Sequence, residues 1–139
     1  MGEAAMEGGG GRGGGLLIVA ALVALGALGG GAAAGSSGPT SRQVAREQRY
    51  ASQQYGIHGA AKQCLIALWD KESGWSATAV NQQTGAYGIP QANPADYGHP
   101  FALGDWQAQI GWGITFYIRS RYHGDPCAAW AYEQAHGSY

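Results

Sequence analysis

Residues Ala60–Glu72 read AAKQCLIALWDKE and run directly into Ser73-Gly74-Trp75. Residues three and four apart share a helix face, so Ala61, Cys64, Leu65, Leu68 and Trp69 form one apolar stripe. Lys62, Gln63, Asp70 and Lys71 point elsewhere, and Glu72 falls at the C-terminal end of the stripe, where a hydrophobe would normally sit. A single glutamate near a helix end is most often a solvated surface residue. At the lip of an apolar stripe it loses hydration, which raises its pKa and lets it carry a proton near neutrality. That is the requirement for a general acid, and Glu72 is the candidate catalytic residue.

Working outward from this helix, Thr40 or Ser41 caps an upstream helix that runs to about Tyr55 and stops at Gly56. The Glu72 helix starts near Gly59 and ends near Ser73-Gly74. Trp75–Tyr97 is rich in Gly, Pro, Asn, Gln, Ser and Thr and has no sustained period, so it reads as loop, with a short hairpin around Thr84-Gly85 and one helical turn opened by Asn93-Pro94. Asp105 is the N-cap of a further helix through Tyr122, with Trp106, Ile110, Gly113 or Ile114 and Tyr117 on one face. Gly111 and Gly113 inside it cost about 1 kcal/mol each relative to Ala, which points to a close helix contact or a ligand pressed on that backbone. Pro126 starts the last helix. The sequence predicts a mainly α fold, α+β at most, with one long central loop or short hairpin.

The 139-residue chain divides sharply. Residues 1–34 hold the apolar run Leu16–Leu28 and an A-x-A arrangement at Ala32 and Ala34, expected as a signal peptide cleaved after Ala34 or, extended over residues 16–34, as a membrane anchor. Residues 35–40 are a flexible lead-in, and 41–139 form one small domain, expected to be a monomer. From Gly35 onward seven Lys/Arg balance seven Asp/Glu, which argues against nucleic acid as a partner. Arg42, Arg46 and Arg49 line one helical face, where solvation or weak attraction to an anionic surface accounts for them.

Cys64 and Cys127 fit one disulfide in an exported domain. It would tie the Glu72 helix to the last helix and stabilise the fold by about 4 kcal/mol in the chain-entropy model. A nucleophilic Cys64 is the weaker alternative, because it lies mid-stripe and has a partner thiol. The histidines (58, 99, 123, 136) show no ligand spacing, and H-E-x-x-H, paired C-x-x-C and phosphate-loop motifs are missing, so neither a metal nor another cofactor is expected.

Several segments converge on one chemistry. Glu72-Ser73 is followed by Asn81, by Thr84-Gly85-Ala86 and by Tyr87-Gly88-Ile89-Pro90-Gln91. A carboxylic acid, amides, glycines and aromatic rings are what cleaving a polysaccharide needs. In this order the motifs resemble the lytic transglycosylase family with the soluble-lytic-transglycosylase (lysozyme-like) domain, in the short form exported by actinobacteria, over roughly residues 42–139. The family's Glu-Ser matches Glu72-Ser73, its Gly-x-x-Gln matches Gly88–Gln91, and its Asn ahead of Ser/Thr-Gly-Ala matches Asn81.

The resemblance implies a secreted or cell-wall-associated enzyme acting on peptidoglycan glycan strands. It would cleave the β-1,4 bond from N-acetylmuramic acid to N-acetylglucosamine and leave 1,6-anhydro ends. Glu72 would serve first as acid and then as base. Ordinary glycosidases use two carboxylates; here the sequence offers one well-placed acid, Asp70 facing away and Asp105 being a cap. A lone acid fits assistance from the substrate's acetamido group. Ser73, Asn81, Tyr87 and Gln91 are candidate substrate contacts. Trp75, Trp112 and Trp130 read as core before sugar platforms, with Trp130 kept among the candidate contacts. The chain departs from larger members, which carry Ala-Tyr-Asn near the C-terminus, at Ala129-Trp130-Ala131. A hydrolytic muramidase like the resuscitation-promoting factors and a non-catalytic peptidoglycan-binding module stand as alternatives.

Overall fold

The computed structural model describes residues 37–138; the expected signal peptide or anchor lies outside them. Within them the fold is mainly α and has no strand. α1 (Ser41–Tyr55) opens with a capping box, in which the Thr40 side chain accepts the Gln43 N–H and the Gln43 side chain accepts the Thr40 N–H, and it stops at Gly56. α2 (Gly59–Ser73) ends at Gly74. The single turn α3 (Pro94–Tyr97) is capped by Asn93. α4 (Trp106–Trp112), capped by Asp105, continues without a break through a π-helical segment, Gly113–Ile118, into α5 (Arg119–Tyr122). α6 (Pro126–His136) has proline in its first turn and Asp125 accepting the Cys127 N–H.

The core gathers Leu65, Leu68 and Trp69 of α2 with Ala51, Trp75, Ile89, Ile110, Ile118 and Ala129. Trp75 is held at φ +60°, a backbone region that costs a non-glycine residue about 1–2 kcal/mol. Its indole is fully buried, edge-to-face with Trp69 at 5.1 Å. Removing about 150–250 Å² of aromatic surface from water stabilises by roughly 4–6 kcal/mol, so burial wins and α2 ends in a tight reversal. The two helix glycines are explained by packing. A Cβ on Gly111 would reach 2.7 Å from the Tyr55 hydroxyl, and one on Gly113 would reach 2.7 Å from the Trp69 ring. They let α4 and the π-helical segment approach α1 and α2.

α2 packs against α6, joined by the Cys64–Cys127 disulfide, whose Cα atoms are 4.9 Å apart. Such a bond belongs to an oxidising compartment. No described helix is long and apolar enough to cross a membrane.

The central segment reverses at Thr84-Gly85 without forming a strand: Tyr87 makes isolated antiparallel bridges to Val80 and to Ala92, and the Asn81 and Gly88 N–H groups donate to Ala86 O at 2.8 Å and Ala79 O at 2.9 Å. What holds this segment is Gln109, fully buried on α4. Its Oε1 accepts the Ile89 N–H at 2.8 Å, and its Nε2 donates to Ala77 O at 3.0 Å and Ala102 O at 3.1 Å. One amide thereby spans three points of the connection from α2 to α4.

Gly88 lies against that amide. A Cβ there, at φ +75°, would fall 2.7 Å from Gln109 Cδ and Oε1 and 3.0 Å from the Phe101 ring, whereas one on Gly85, at φ +76°, would meet only Pro94 at 3.9 Å. Both Ala substitutions carry a left-handed penalty of about 1 kcal/mol. Gly88→Ala adds an overpacking cost of about 1–3 kcal/mol. Urea unfolding of the two variants is expected to show a larger loss for Gly88→Ala than for Gly85→Ala; equal losses would contradict the clash.

Candidate active site

Glu72 occupies the last turn of α2 and opens into a cleft of about 460 Å³. Among the described residues the walls come from the central segment (Asn81, Thr84, Ala86, Pro90, Gln91, Asn93), from α3 (Asp96, Tyr97), from Tyr117 and Arg121, and from Gly137 and Ser138 after α6. Amides, hydroxyls and phenol rings around two carboxyl groups suit a polyhydroxylated ligand.

Each expected contact has a definite place. Asn81 lines the cleft, its Oδ1 accepting the N–H groups of Gln83 and Thr84 at 2.9 and 3.2 Å. Gln91 also lines it, with Nε2 donating to Gly88 O at 2.9 Å and φ at +52°. Ser73 stands beside the cleft, and its hydroxyl donates to Ile89 O at 2.8 Å. It ties the end of α2 to the Gly88–Gln91 turn, and so fixes the wall that faces Glu72.

Tyr87 and Trp130 are not part of the cleft wall. The Tyr87 hydroxyl donates to Phe101 O at 2.9 Å, and its buried ring packs against Phe101 and His99. Trp130 packs on the main core. Tyr87 is held inward by its bond to a backbone carbonyl, and Trp130 is half-buried against the core cluster. Trp75 is core as expected, and Trp112 packs on Phe101 and Tyr97.

The expectation of one acid without a second needs correction at two positions. Asp96 lies in the cleft wall. Glu133 of α6 lies behind Glu72, 1 % exposed, with Oε1 2.9 Å from Lys71 Nζ. Its Oε2 is buried and receives no N–H or hydroxyl donor. The Glu72 carboxyl is in hydrogen-bonding contact with Glu133, and it donates only when protonated. Protonated Glu72, ionised Glu133 and Lys71 form a neutral set; loss of the Glu72 proton leaves a net negative charge in a poorly solvated place.

The Glu72 pKa is accordingly pushed up to about 7. Burial is the largest cause, followed by the charge of Glu133 and the hydrogen bond to it, with Lys71 pulling the other way. Sequence inspection missed Glu133, although Pro126, Ala129 and Glu133 share one buried stripe of α6. The cleft positions of Tyr117 and Arg121 were missed as well: Tyr117 does lie on the inward face expected for it with Ile110 and Gly113, but which part of that face borders the cleft depends on tertiary placement. Among the described residues no group of three or more His, Cys, Asp or Glu side chains gathers as metal ligands would.

Comparison with protein-family models, with curated proteins and with solved structures finds no match to this chain.

Carbon-detected NMR titration is expected to place the Glu72 midpoint near pH 7. In Glu133→Gln it should fall while staying above the ordinary carboxylate range, since burial persists; in Lys71→Met it should rise. An unmoved midpoint in Glu133→Gln would mean that the two carboxyls do not interact. Because the folded value exceeds the ordinary 4.5, the folded chain holds an extra proton between those values, and stability from this group falls as pH rises through that window. Glu72→Gln should therefore raise Tm more at pH 8 than at pH 5.

Proposed function

We propose that the chain is an exported peptidoglycan lytic transglycosylase, cleaving the β-1,4 bond between N-acetylmuramic acid and N-acetylglucosamine. One observation carries this reading: a half-buried carboxyl that holds its proton near neutrality opens into a polar, aromatic-lined cleft. The motif order Glu72-Ser73, Asn81, Gly88–Gln91 supports the substrate class. The apolar run 16–28 and the disulfide support export.

In the proposed reaction the Glu72 O–H protonates the glycosidic oxygen as the C1–O bond breaks. The acetamido oxygen of the same muramyl residue meets the charge developing at C1. Glu72, now a carboxylate, takes the proton of the C6 hydroxyl while O6 bonds to C1 and displaces the acetamido oxygen. Glu72 regains its proton, no water is consumed, and a 1,6-anhydro end results. One group serving as acid and then base works best with a pKa near the working pH.

Asp96 favours a second reading, hydrolysis, in which that carboxylate activates a water on the far side of the sugar. Glu133 is excluded from such a role by its burial behind Glu72.

With purified peptidoglycan sacculi as substrate, Glu72→Gln is expected to lower release of soluble fragments about 10²–10⁴-fold, and wild-type kcat/KM to decline as pH rises through 7. Mass spectrometry should show fragments one water lighter than hydrolysed ones, and Asp96→Asn should leave that product intact. Hydrated ends, lost in Asp96→Asn, would establish hydrolysis instead. Undiminished glycan binding by wild type and Glu72→Gln alike, with no fragments released by either, would leave a binding module.

A further inference from the structure

Among the described residues that line the cleft Arg121 is the only cation, and Glu72 and Asp96 are the acids. Its Nη1 donates to the Tyr117 hydroxyl at 2.7 Å, and the guanidinium carbon stands 5.2 Å from the Tyr117 ring centre. Tyr117 is itself buried within the helix, so the guanidinium is anchored to a rigid wall. Among the described residues the ion pairs are Arg46–Glu47 and Lys71–Glu133, and no carboxylate neutralises Arg121.

A guanidinium bound by one nitrogen to a neutral phenol keeps its remaining N–H groups for a planar acceptor, and a carboxylate matches that fork with two parallel hydrogen bonds. The neighbouring wall groups, Asn81, Thr84 and Gln91, are neutral and suit hydroxyl or acetamido groups equally on any N-acetylated sugar. They carry no charge to set a muramyl residue apart from a plain N-acetylglucosamine. A cation reads the acid that distinguishes the two most strongly, through charge-assisted hydrogen bonds.

We infer that Arg121, anchored by Tyr117, is a carboxylate-reading subsite that selects muramyl residues in the cleft. The inference rests on the glycan-cleaving reading above. The carboxylate has two possible sources: the lactyl group itself where the peptide stem has been removed, or the stem's own acids where the lactyl group is amide-linked.

The test measures binding by calorimetry in the Glu72→Gln background, which prevents turnover, with and without Arg121→Gln. Three ligands are compared: an uncharged chito-oligosaccharide, a stem-free muramyl oligosaccharide, and a stem-bearing one. Arg121→Gln should weaken one or both muramyl ligands about tenfold or more, the strength of a charge-assisted pair. The chito-oligosaccharide should stay within about twofold, the scatter expected of a residue that makes no contact with it. Loss confined to the stem-free ligand assigns the lactyl carboxylate, and loss confined to the stem-bearing ligand assigns the stem.

Tyr117→Phe, which removes the anchor and keeps the charge, should give a smaller loss with the same selectivity. Equal weakening of all three ligands would make Arg121 a support of the wall and overturn the inference, as would no weakening at all. If the Glu72→Gln parent binds none of the three, the glycan reading falls and the inference with it. If that parent binds all three and Arg121→Gln changes nothing, only the inference falls.

Discussion

The ion pair between Lys71 and Glu133 fixes how α2 lies against α6, and the site is built on that alignment. A second tie, the disulfide, joins Cys64 to Cys127. From Cys64 to Lys71 is about 10 Å of helix and from Cys127 to Glu133 about 9 Å, at 1.5 Å per residue. The ties occur in the same order along both helices and at matching spacing, so the helices run side by side in the same direction. Two parallel neighbours cannot be joined by a short turn. The chain from Gly74 to Asp125 must make the return journey, and that return is what supplies the cleft walls.

A connection of that length with no sheet needs internal polar ties, since buried backbone groups without partners are costly. Gln109 provides three of them from one fully buried side chain, and Ser73 adds a fourth at the end of α2. Their energies are unequal in kind. Ala77 O and Ala102 O also accept the Gly104 and Asp105 N–H groups, so each has a second donor. The Ile89 N–H is bonded to Gln109 Oε1 and is buried. Loss of that one acceptor would orphan it at about 1–3 kcal/mol. The Gly88–Gln91 wall is thus fixed mainly through Ile89, whose N–H is held by Gln109 and whose carbonyl is held by Ser73.

What the sequence reveals of this fold is what is decided locally. Thr40, Gly56, Gly74, Asn93-Pro94, Asp105 and Pro126 each mark a helix boundary through the residue's own backbone or capping chemistry, and the structure places the boundaries there. Glu72 is legible because its own helix carries the apolar stripe. Glu133 is not, since its meaning depends on a lysine some sixty residues earlier and on the register of two helices. Tyr87 fails for a related reason. A tyrosine in a Gly-rich loop suits a sugar contact as well as a core position, and only the place of Phe101 O decides. The reversal expected at Thr84-Gly85 is present, because its turn residues act locally, but it closes on a single antiparallel bridge between Val80 and Tyr87 and forms no strand. The π-helical segment leaves no periodic signature of its own over its six residues; Tyr117 still falls on the inward face with Ile110 and Gly113, while its place and that of Arg121 in the cleft wall depend on tertiary packing.

The cost of burying Glu133 beside Glu72 is informative about the proposed chemistry. A buried carboxylate paired with a half-exposed lysine gains little stability over a well-packed hydrophobe. Its effect on Glu72 is larger and has a definite sign. Giving up the proton leaves two carboxylates facing one ammonium, so the ionised acid is a poor resting state and a strong proton acceptor. An acid whose conjugate base is destabilised in this way is weaker at the first step and more effective at the second. A reaction that needs the same residue to donate and then recover a proton within one turnover, from a hydroxyl already on the substrate, is served by that compromise. An enzyme with separate acid and base would have no need to accept it.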